Sequence, residues 1–207
     1  MNTKILSVGG SIIAPDKPDV GFLTSFIAMI KDWLNAELER RLILVAGGGA
    51  PARIYQSAYK EAAAGLDENT DGDAADKIGI MATRLNAELV KALCGSLCKN
   101  DVVYNPTENI EFSGRILVAA GWKPGFSTDN DAVLLAEKFS ADTVLNLSNI
   151  EKVYTDDPKK NPNAQPIDRI SWENFIQMVG TEWVPGKNVP FDPVASVRAQ
   201  KAGIQVI

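Results

Sequence analysis

Three groups of glycines follow three apolar runs of the chain, where they suit the binding of phosphate. The groups are Gly9-Gly10-Ser11, Gly47-Gly48-Gly49 and the stretch from Gly121 to Gly125. Without a Cβ atom the backbone can approach a phosphate closely, and the N–H groups of a following helix point towards it. A strand-to-helix turn often needs glycine for local reasons alone. Three such groups at equivalent strand ends nevertheless favour an anionic ligand.

Histidine is absent from all 207 residues, which restricts the chemistry that the chain can perform. Ser-His-Asp and Cys-His catalysis, histidine general bases and most catalytic metal sites are excluded. Carboxylates, lysine, arginine and backbone amides remain, and they suit phosphoryl transfer, in which positioning and charge stabilisation dominate. The P-loop motif G-x-x-x-x-G-K-[ST] and the dinucleotide motif G-x-G-x-x-G are both missing.

Apolar runs and helical periodicity predict the elements that position these glycines. Strands are predicted at 5–8, 42–46, 116–120, 143–147 and 204–207. Helices are predicted at 22–38, from Pro51 onwards, at about 76–97, at 129–139, at 171–179 and at 192–201. Strands that are apolar throughout and alternate with helices indicate a mainly parallel sheet buried on both faces. We therefore expect one α/β domain over residues 1–207.

Composition and charge limit the binding partners and the location that we expect for the protein. The chain has 21 basic and 26 acidic residues, a net charge of -5, which argues against nucleic acid as a general partner. No signal peptide or run of about 20 apolar residues is present, so we expect a cytoplasmic protein without a membrane partner. Cys94 and Cys98 lie four apart without any histidine, which favours packed, reduced thiols over zinc.

The segment 153–168, VYTDDPKKNPNAQPID, is polar and contains three prolines. It follows directly on the apolar strand predicted at 143–147, although almost none of it can be buried. A surface loop is one interpretation of this segment. A lid over an anionic ligand is the other.

Six stretches in this order resemble the amino-acid-kinase superfamily, most closely its archaeal-type uridylate (UMP) kinases. They are SVGGSII, LVAGGGAPARIY, DKIGIMATRLNAELV, GWKPGFSTDNDAVLLAEKFSAD, NLSNIEKVYTDDPKKNPNA and VPFDPVASVRAQKAGIQVI. The resemblance covers nearly the whole chain. It implies a three-layer αβα sandwich around a mainly parallel sheet and transfer of the ATP γ-phosphoryl group to a small acidic acceptor. It also implies a homo-oligomer, a hexamer built from dimers.

The same resemblance implies a map of the site. The part up to about residue 140 would bind the acceptor phosphate, and the part from about 141 to 207 would bind ATP. ATP would contact Gly10, Ser11, Gly49, Arg53, Ser148, Asn149, Tyr154, Asp157 and Lys159. The acceptor would contact Gly48, Asp76, Trp122, Lys123, Pro124, Gly125, Phe126, Ser127 and Thr128. Catalytic roles would fall to Arg53, Lys123 and Asp129, and Mg²⁺ would be held mainly by ATP phosphates and water.

Simple physical arguments give several of these residues a role, each beside a plainer alternative. Arg53 lies one helical turn after the triple glycine and can reach back to an oxyanion, or it is a solvated surface cation. Lys123 in a glycine-proline loop can neutralise a phosphoryl group, or it only aids solubility. Asp76 accepts from a ribose hydroxyl or from uracil, or it caps its helix. Asp129 takes part in catalysis or, as we favour here, caps the helix that follows it.

Seven residues at four places in the chain depart from the family pattern. Ser7 stands where many members of the superfamily carry a catalytic lysine, although archaeal-type uridylate kinases also lack that lysine. Glu151-Lys152 replaces the usual Asp-Gly of a tight turn, and Asn130-Asp131 resembles the members that phosphorylate amino acids. Trp122 and Phe126 are bulkier than the common residues of their loop. Three readings follow: a UMP kinase, a kinase for another small acid, or a nucleotide- or oxyanion-binding storage protein.

Overall fold

A computed structural model of the chain describes residues 2–66, 69–150, 152–156, 158, 160–182 and 189–207. The strands are β1 (Asn2–Val8), β2 (Arg40–Ala46), β3 (Ile116–Ala119), β4 (Thr143–Leu147), β5 (Val153–Tyr154), β6 (Pro166–Ile167) and β7 (Gln205–Val206). Five of them form one parallel sheet in the order β3-β2-β1-β4-β7. The other two, β5 and β6, pair as a short antiparallel hairpin.

Helices connect the parallel strands. They are α1 (Gly10–Ile13), α2 (Val20–Ala36), α3 (Gly49–Gly65), α4 (Gly72–Cys94), α5 (Thr128–Lys138), α6 (Trp172–Val179) and α7 (Pro193–Ala202). A 3₁₀ turn, Gly95–Leu97, extends α4. None of the helices in the described ranges is long and apolar enough to cross a membrane.

Alternate side chains of each central strand enter two separate cores. Leu6, for example, packs with α2 and α4 on one face of the sheet, while its neighbour Ile5 packs with α5 and α7 on the other. Both residues are buried, as are nearly all side chains of β2 and β3. Because strand side chains alternate in direction, a run that is apolar throughout can fill both cores at once. The predicted three-layer αβα sandwich with a parallel central sheet is therefore confirmed.

Several predicted boundaries move. The long helix begins at Gly72 rather than near residue 76, because Asp71 caps it by accepting from the Asp73 N–H at 2.9 Å. The helix predicted at 22–38 ends at Ala36, and Leu38 is 83% exposed instead of part of its apolar stripe.

The two predicted thiols, Cys94 and Cys98, are free and buried. Burial raises the pKa of Cys94 to about 12, which makes it unreactive.

The strand order changes direction beside β1. The chain places β2 and β3 on one side of β1, and β4 and β7 on the other. In an open parallel sheet, ligands bind outside the carboxyl ends of the strands at such a switch point. The Gly9 N–H donates to the Leu147 carbonyl across this point at 2.8 Å. The first glycine group therefore lies where the topology favours a ligand.

Candidate functional site

The first two glycine turns are in direct contact. A methyl group on Gly10 would lie 1.9 Å from the backbone nitrogen of Gly49, and one on Gly47 would lie 2.4 Å from the Gly10 nitrogen. Gly49 also has a positive φ of 68°, which favours glycine. These glycines are thus required for the two turns to fit together. Their contact brings the N-termini of α1 and α3 side by side at the edge of the sheet.

Side chains of helix α4 hold the second glycine turn, Gly47-Gly48-Gly49, in place. The buried side chain of Asn86 donates to the carbonyls of Gly47 and Gly48, at 2.8 and 3.1 Å. Thr83 lies one turn before Asn86 on the same helix and borders Gly48. Its hydroxyl also accepts from the Gly121 N–H at 2.8 Å. Thr83 therefore joins the second glycine group to the third.

The 121–128 loop, which contains the third group, is fastened at three further points. The Trp122 N–H donates to Asp131 Oδ2 at 3.1 Å, and the Trp122 carbonyl accepts from Arg84 Nη2 at 3.2 Å. The Gly125 N–H donates to Asp76 Oδ2 at 3.0 Å. Side chains of α4 and α5 thus fix the backbone of a loop that has no regular structure of its own. Such anchoring pre-organises a binding loop at little cost when a ligand arrives.

Lys123, at the tip of this loop, rests on aromatic rings. Its Nζ lies 4.0 Å from the ring centroid of Trp122 and 4.8 Å from that of Phe126. The two rings meet edge to face, with centroids 4.8 Å apart. The lysine itself is exposed. The bulky residues that the sequence places here therefore hold a cation by cation–π attraction at the rim of the site.

The N-terminus of α5 lies beside the loop, and its capping residue is not the one predicted. Ser127 is the N-cap, with its hydroxyl accepting from the Asn130 N–H at 3.2 Å. The preferred assignment of Asp129 as the cap was wrong, because the helix already begins at Thr128 and Asp129 lies inside its first turn. Asp76 is not a cap either, since Asp71 caps α4. Both aspartates are left with side chains directed to other partners.

Asp129 connects β1 to the start of α7. Its Oδ1 accepts from the Ser7 hydroxyl at 2.9 Å and its Oδ2 from the Asp192 N–H at 3.3 Å. Although the residue as a whole keeps some exposed surface, its carboxyl lies deep between these elements. Burial raises the pKa of Asp129 to about 6, opposed by the hydrogen bond from Ser7, and the charge of Asp192 raises it further. At neutral pH this carboxyl is mostly ionised.

Asp131 is completely buried one helical position beyond Asn130. Burial raises its pKa to about 7, and the hydrogen bond from the Trp122 N–H opposes the rise. The charges of Asp129 and Asp192 add to it. Asp131 therefore keeps its proton to a higher pH than an ordinary aspartate. Burial thus raises the pKa of two carboxyls on one helical turn.

Arg53 and Ser11 lie close to the glycine turns. Arg53 is exposed on α3, one turn after Gly49, and makes no hydrogen bond or ion pair with another described residue. Ser11 is half-buried in α1, directly after Gly10. Both positions agree with the sequence-based map of phosphate contacts. Their predicted roles stay predictions.

A cavity of about 650 Å³ opens beside the carboxyl end of β4. Its lining includes Asn146 and Ser148 from this strand end, Trp172 and Phe175 from α6, and Phe191. Apolar and aromatic walls with a few polar groups are typical of a site for a small organic ligand. Ser148 was predicted to bind ATP and lies in this lining. Asn149 and Tyr154 are absent from its described part.

The proline-rich segment 153–168 contains the β5–β6 hairpin, which the sequence did not predict. Val153 and Ile167 pair in it and also line the cavity. Lys152 lies at the same wall, with its Nζ 2.6 Å from Asp168 Oδ1. Two further residues predicted to bind ATP, Asp157 and Lys159, lie outside the described residues, as does Glu151. The two ends of this segment therefore form part of the cavity wall, while most of the described residues between them are exposed.

Sequence reasoning missed three members of this site. Ser7 was noted only as a missing lysine, Asp131 only as a departure from a family pattern, and Asp192 only as a helix start. Asn130-Asp131 was the one local signal, since polar side chains there stand in an apolar helix face. Among the described residues, no group of three or more Cys, Asp or Glu side chains is arranged to hold a metal ion.

Comparison with known proteins gives one consistent result. A model of the amino acid kinase family matches residues 2–207. The uridylate kinase of Methanospirillum hungatei is 34% identical over all of this chain and 85% of its own length, and that of Pyrococcus abyssi is 34% identical over 97% and 87%. The crystal structure of uridylate kinase from Archaeoglobus fulgidus superposes with a TM-score of 0.81 at 31% identity, covering 100% of this chain and 90% of that one.

Proposed function

The chain belongs to the amino acid kinase family, and on that premise we propose that it is a uridylate kinase, which converts UMP and ATP to UDP and ADP. The family and the full-length similarity to archaeal uridylate kinases make it an enzyme of the nucleoside monophosphate kinase type. ATP is the expected donor of such a kinase. The identity of the acceptor and the roles of single residues are part of the proposal.

One observation carries the proposal: the carboxyl edge of the sheet is continuous from the cavity to the 121–128 loop. Gly9 bonds to Leu147 beside the cavity, Gly10 touches Gly49, and Thr83 joins Gly48 to Gly121. A donor nucleotide and an acceptor nucleotide lying on this edge would meet over the glycine turns. That arrangement is what direct transfer between two bound nucleotides requires.

The donor side lies at the cavity. Its volume of about 650 Å³ suits a nucleoside, and Trp172 and Phe191 offer apolar surface to a base. From there the triphosphate would extend over Gly10, Ser11 and Gly49, whose backbone permits close approach. This proposal keeps the division predicted from the sequence, in which residues from about 141 onwards bind ATP and Gly10, Ser11 and Gly49 contact its phosphates.

The acceptor side lies at the 121–128 loop and the N-terminus of α5. The first-turn N–H groups of this helix and the hydroxyls of Ser127 and Thr128 favour a phosphate there. Asp76 already accepts from Gly125 through Oδ2, so its Oδ1 is the oxygen proposed for the acceptor nucleoside. Gly48 completes this side beneath the loop.

The chemistry needs no general base, because the nucleophile is an oxygen of the UMP phosphate, which is ionised at neutral pH. This agrees with a chain that has no histidine. Arg53 and Lys123 are proposed to neutralise the equatorial oxygens during in-line transfer. Lys123 would leave its aromatic rings to do so. Asp129, mostly ionised at neutral pH, favours a cation beside the reacting phosphates.

Mg²⁺ belongs to the proposal as the partner of the ATP phosphates, on which it would neutralise charge as the phosphoryl group moves. A homo-oligomer, with the hexamer as the predicted size, is also proposed. It is supported by exposed apolar side chains on α3 and α4, among them Ile54, Tyr55, Met81 and Leu85. The cytoplasmic location stays a prediction from the sequence.

A coupled assay of ADP release tests the acceptor. The purified protein with Mg-ATP is offered UMP, CMP, glutamate, aspartate and isopentenyl phosphate in parallel. We expect turnover with UMP to exceed that with every other acceptor. Turnover only with a compound that is not a nucleotide would overturn the proposal. So would tight binding of ATP without phosphorylation of any acceptor, the result expected of a storage or sensor protein.

A further inference from the structure

Asp131 is a buried carboxyl at the root of the 121–128 loop. None of its surface is exposed, and its Oδ2 accepts from the Trp122 N–H at 3.1 Å. Trp122 is three residues past the end of β3, where the chain leaves the sheet and turns towards Lys123. The carboxyl therefore ties the first turn of the loop to the helix that follows it.

The second carboxyl oxygen of Asp131, Oδ1, lowers the stability of the fold. Its Oδ1 is buried and has no hydrogen-bond partner among the described residues. The charges that face it come from Asp129 on the same helix and from Asp192 before α7, and both are negative. An apolar residue of similar size, such as valine, would avoid this cost. A buried polar group that lowers the stability of the fold needs an explanation other than core packing.

The other loop anchors come from a different helix. Thr83, Arg84 and Asp76 all belong to α4, and they fix the loop relative to the second glycine turn. Asp131 alone among these side-chain anchors belongs to α5. It therefore sets the distance between the loop and the N-terminus of α5, the two elements between which the acceptor phosphate is proposed to lie.

We infer that Asp131 is a positioning residue for the acceptor: by holding the Trp122 N–H it fixes the loop, and with it Lys123, over the N-terminus of α5. This inference rests on the proposed function. Asp131 does not touch the nucleotide, and it acts through the loop backbone. This role requires an oxygen at the Oδ2 position that accepts the hydrogen bond from the Trp122 N–H. It does not require the carboxyl to be charged.

Two substitutions separate the acceptor oxygen from the charge. Asp131→Asn keeps an oxygen for the Trp122 N–H, whereas Asp131→Val keeps the volume and removes the oxygen. With valine we expect the KM for UMP to rise about ten-fold or more, the effect of losing one hydrogen bond to a carboxyl group. The KM for ATP should change less than about two-fold. Asparagine should restore the KM for UMP to within about three-fold of the native value.

Thermal unfolding gives a readout that a merely structural role would not move in this way. Valine removes a buried unpaired oxygen, but it also leaves the Trp122 N–H without its acceptor, so the two effects on stability oppose each other. We therefore expect the Asp131→Val protein to melt close to the native one while binding UMP more weakly. Asp142→Val is the matched control, since Asp142 is exposed and precedes β4 at the opposite edge of the sheet. It should leave both KM values unchanged.

Hydrogen–deuterium exchange of the peptide spanning residues 121–128 tests the inference without any turnover. Exchange should be faster in Asp131→Val than in the native protein and close to native in Asp131→Asn. Equal exchange in all three proteins, or equal rises in both KM values with a lower melting temperature, would overturn the inference. A native protein that does not phosphorylate UMP would instead overturn the proposed function, and the exchange result would still decide whether Asp131 holds the loop.

Discussion

The hydroxyl of Ser7 donates a hydrogen bond to the carboxylate of Asp129 at 2.9 Å, although 122 residues separate them. Ser7 lies at the end of the central strand and is 2% exposed. Asp129 lies in the first turn of α5. The bond thus connects the strand that leads into the first glycine turn with the helix proposed to receive the acceptor phosphate. The pKa of Asp129 therefore depends on a side chain of β1.

Replacing Ser7 by alanine should therefore change the pH dependence of turnover. The Ser7 hydrogen bond lowers the pKa of Asp129, so its loss should raise that pKa above its native value of about 6. We expect the acidic limb of the kcat profile to move upwards by about half to one pH unit. The measurement is kcat from about pH 5 to 9 with both substrates saturating. Ser57→Ala, at an exposed position of α3, is the control. An unmoved limb would show that Asp129 does not govern turnover.

Arg53→Ala should lower turnover by about ten-fold or more, the loss expected for one charge-stabilising donor. The side chain is exposed one turn beyond the glycine turns and is available to a phosphate. Lys60→Ala removes an exposed cation two turns further along the same face of α3 and should leave turnover unchanged. Steady-state kinetics of the two variants give the comparison. Equal activity in both would mean that Arg53 is a solvated surface residue.

Asp131→Asn should alter how stability depends on pH. The pKa of Asp131 is raised to about 7 in the folded protein from an ordinary 3.8, so the folded state binds this proton more tightly. The stability gained from that proton is complete below about pH 4 and is lost as the pH rises through about 7. Relative to Asp131→Asn, the native protein should therefore lose on the order of 2–4 kcal/mol of unfolding free energy between about pH 4 and 8.

Denaturant unfolding of both proteins across this pH range measures the difference. Carboxyls that do not interact with Asp131 change stability in both proteins alike, so the comparison reports Asp131 together with its coupling to Asp129 and Asp192. A difference that stays constant with pH would show that the pKa of Asp131 is not raised in the folded protein.

Gly49→Ala should destabilise the fold strongly. The φ of Gly49 is 68°, and a methyl group there would lie 2.4 Å from the Gly10 carbonyl oxygen and 2.5 Å from that of Ala14. We expect a loss of about 2–4 kcal/mol from strain and backbone displacement. Gly65→Ala, at the other end of α3 where a methyl group meets nothing within 4 Å, is the control and should cost little. Urea unfolding at one pH suffices, and similar midpoints for both variants would contradict the close contact of the two turns.

The sheet was predictable from the sequence because its strands are buried on both faces. A run such as residues 42–46 has no polar position, so it fits the interior of a parallel sheet and little else. Helix starts were less predictable. Where Ser127 and Asp129 both stand near the start of α5, either can cap it, and only the path of the chain decides which does.

The site was predictable in its glycines and not in its carboxyls. Each glycine group is a local pattern, whereas the partners of Asp129 and Asp131 lie on β1, on the 121–128 loop and before α7. No spacing rule connects them. The β5–β6 hairpin was missed for the opposite reason, since two residues per strand are too few to show a period.

The strand order also has a consequence for folding during synthesis on the ribosome. The three strands made first, β1 to β3, are neighbours, so three of the five strands can pair before the chain beyond residue 120 is made. The edge of β1 that later pairs with β4 then stays open until residue 147 has emerged. During that interval one edge of an apolar strand is unpaired, and such an open edge is prone to pair with a wrong partner.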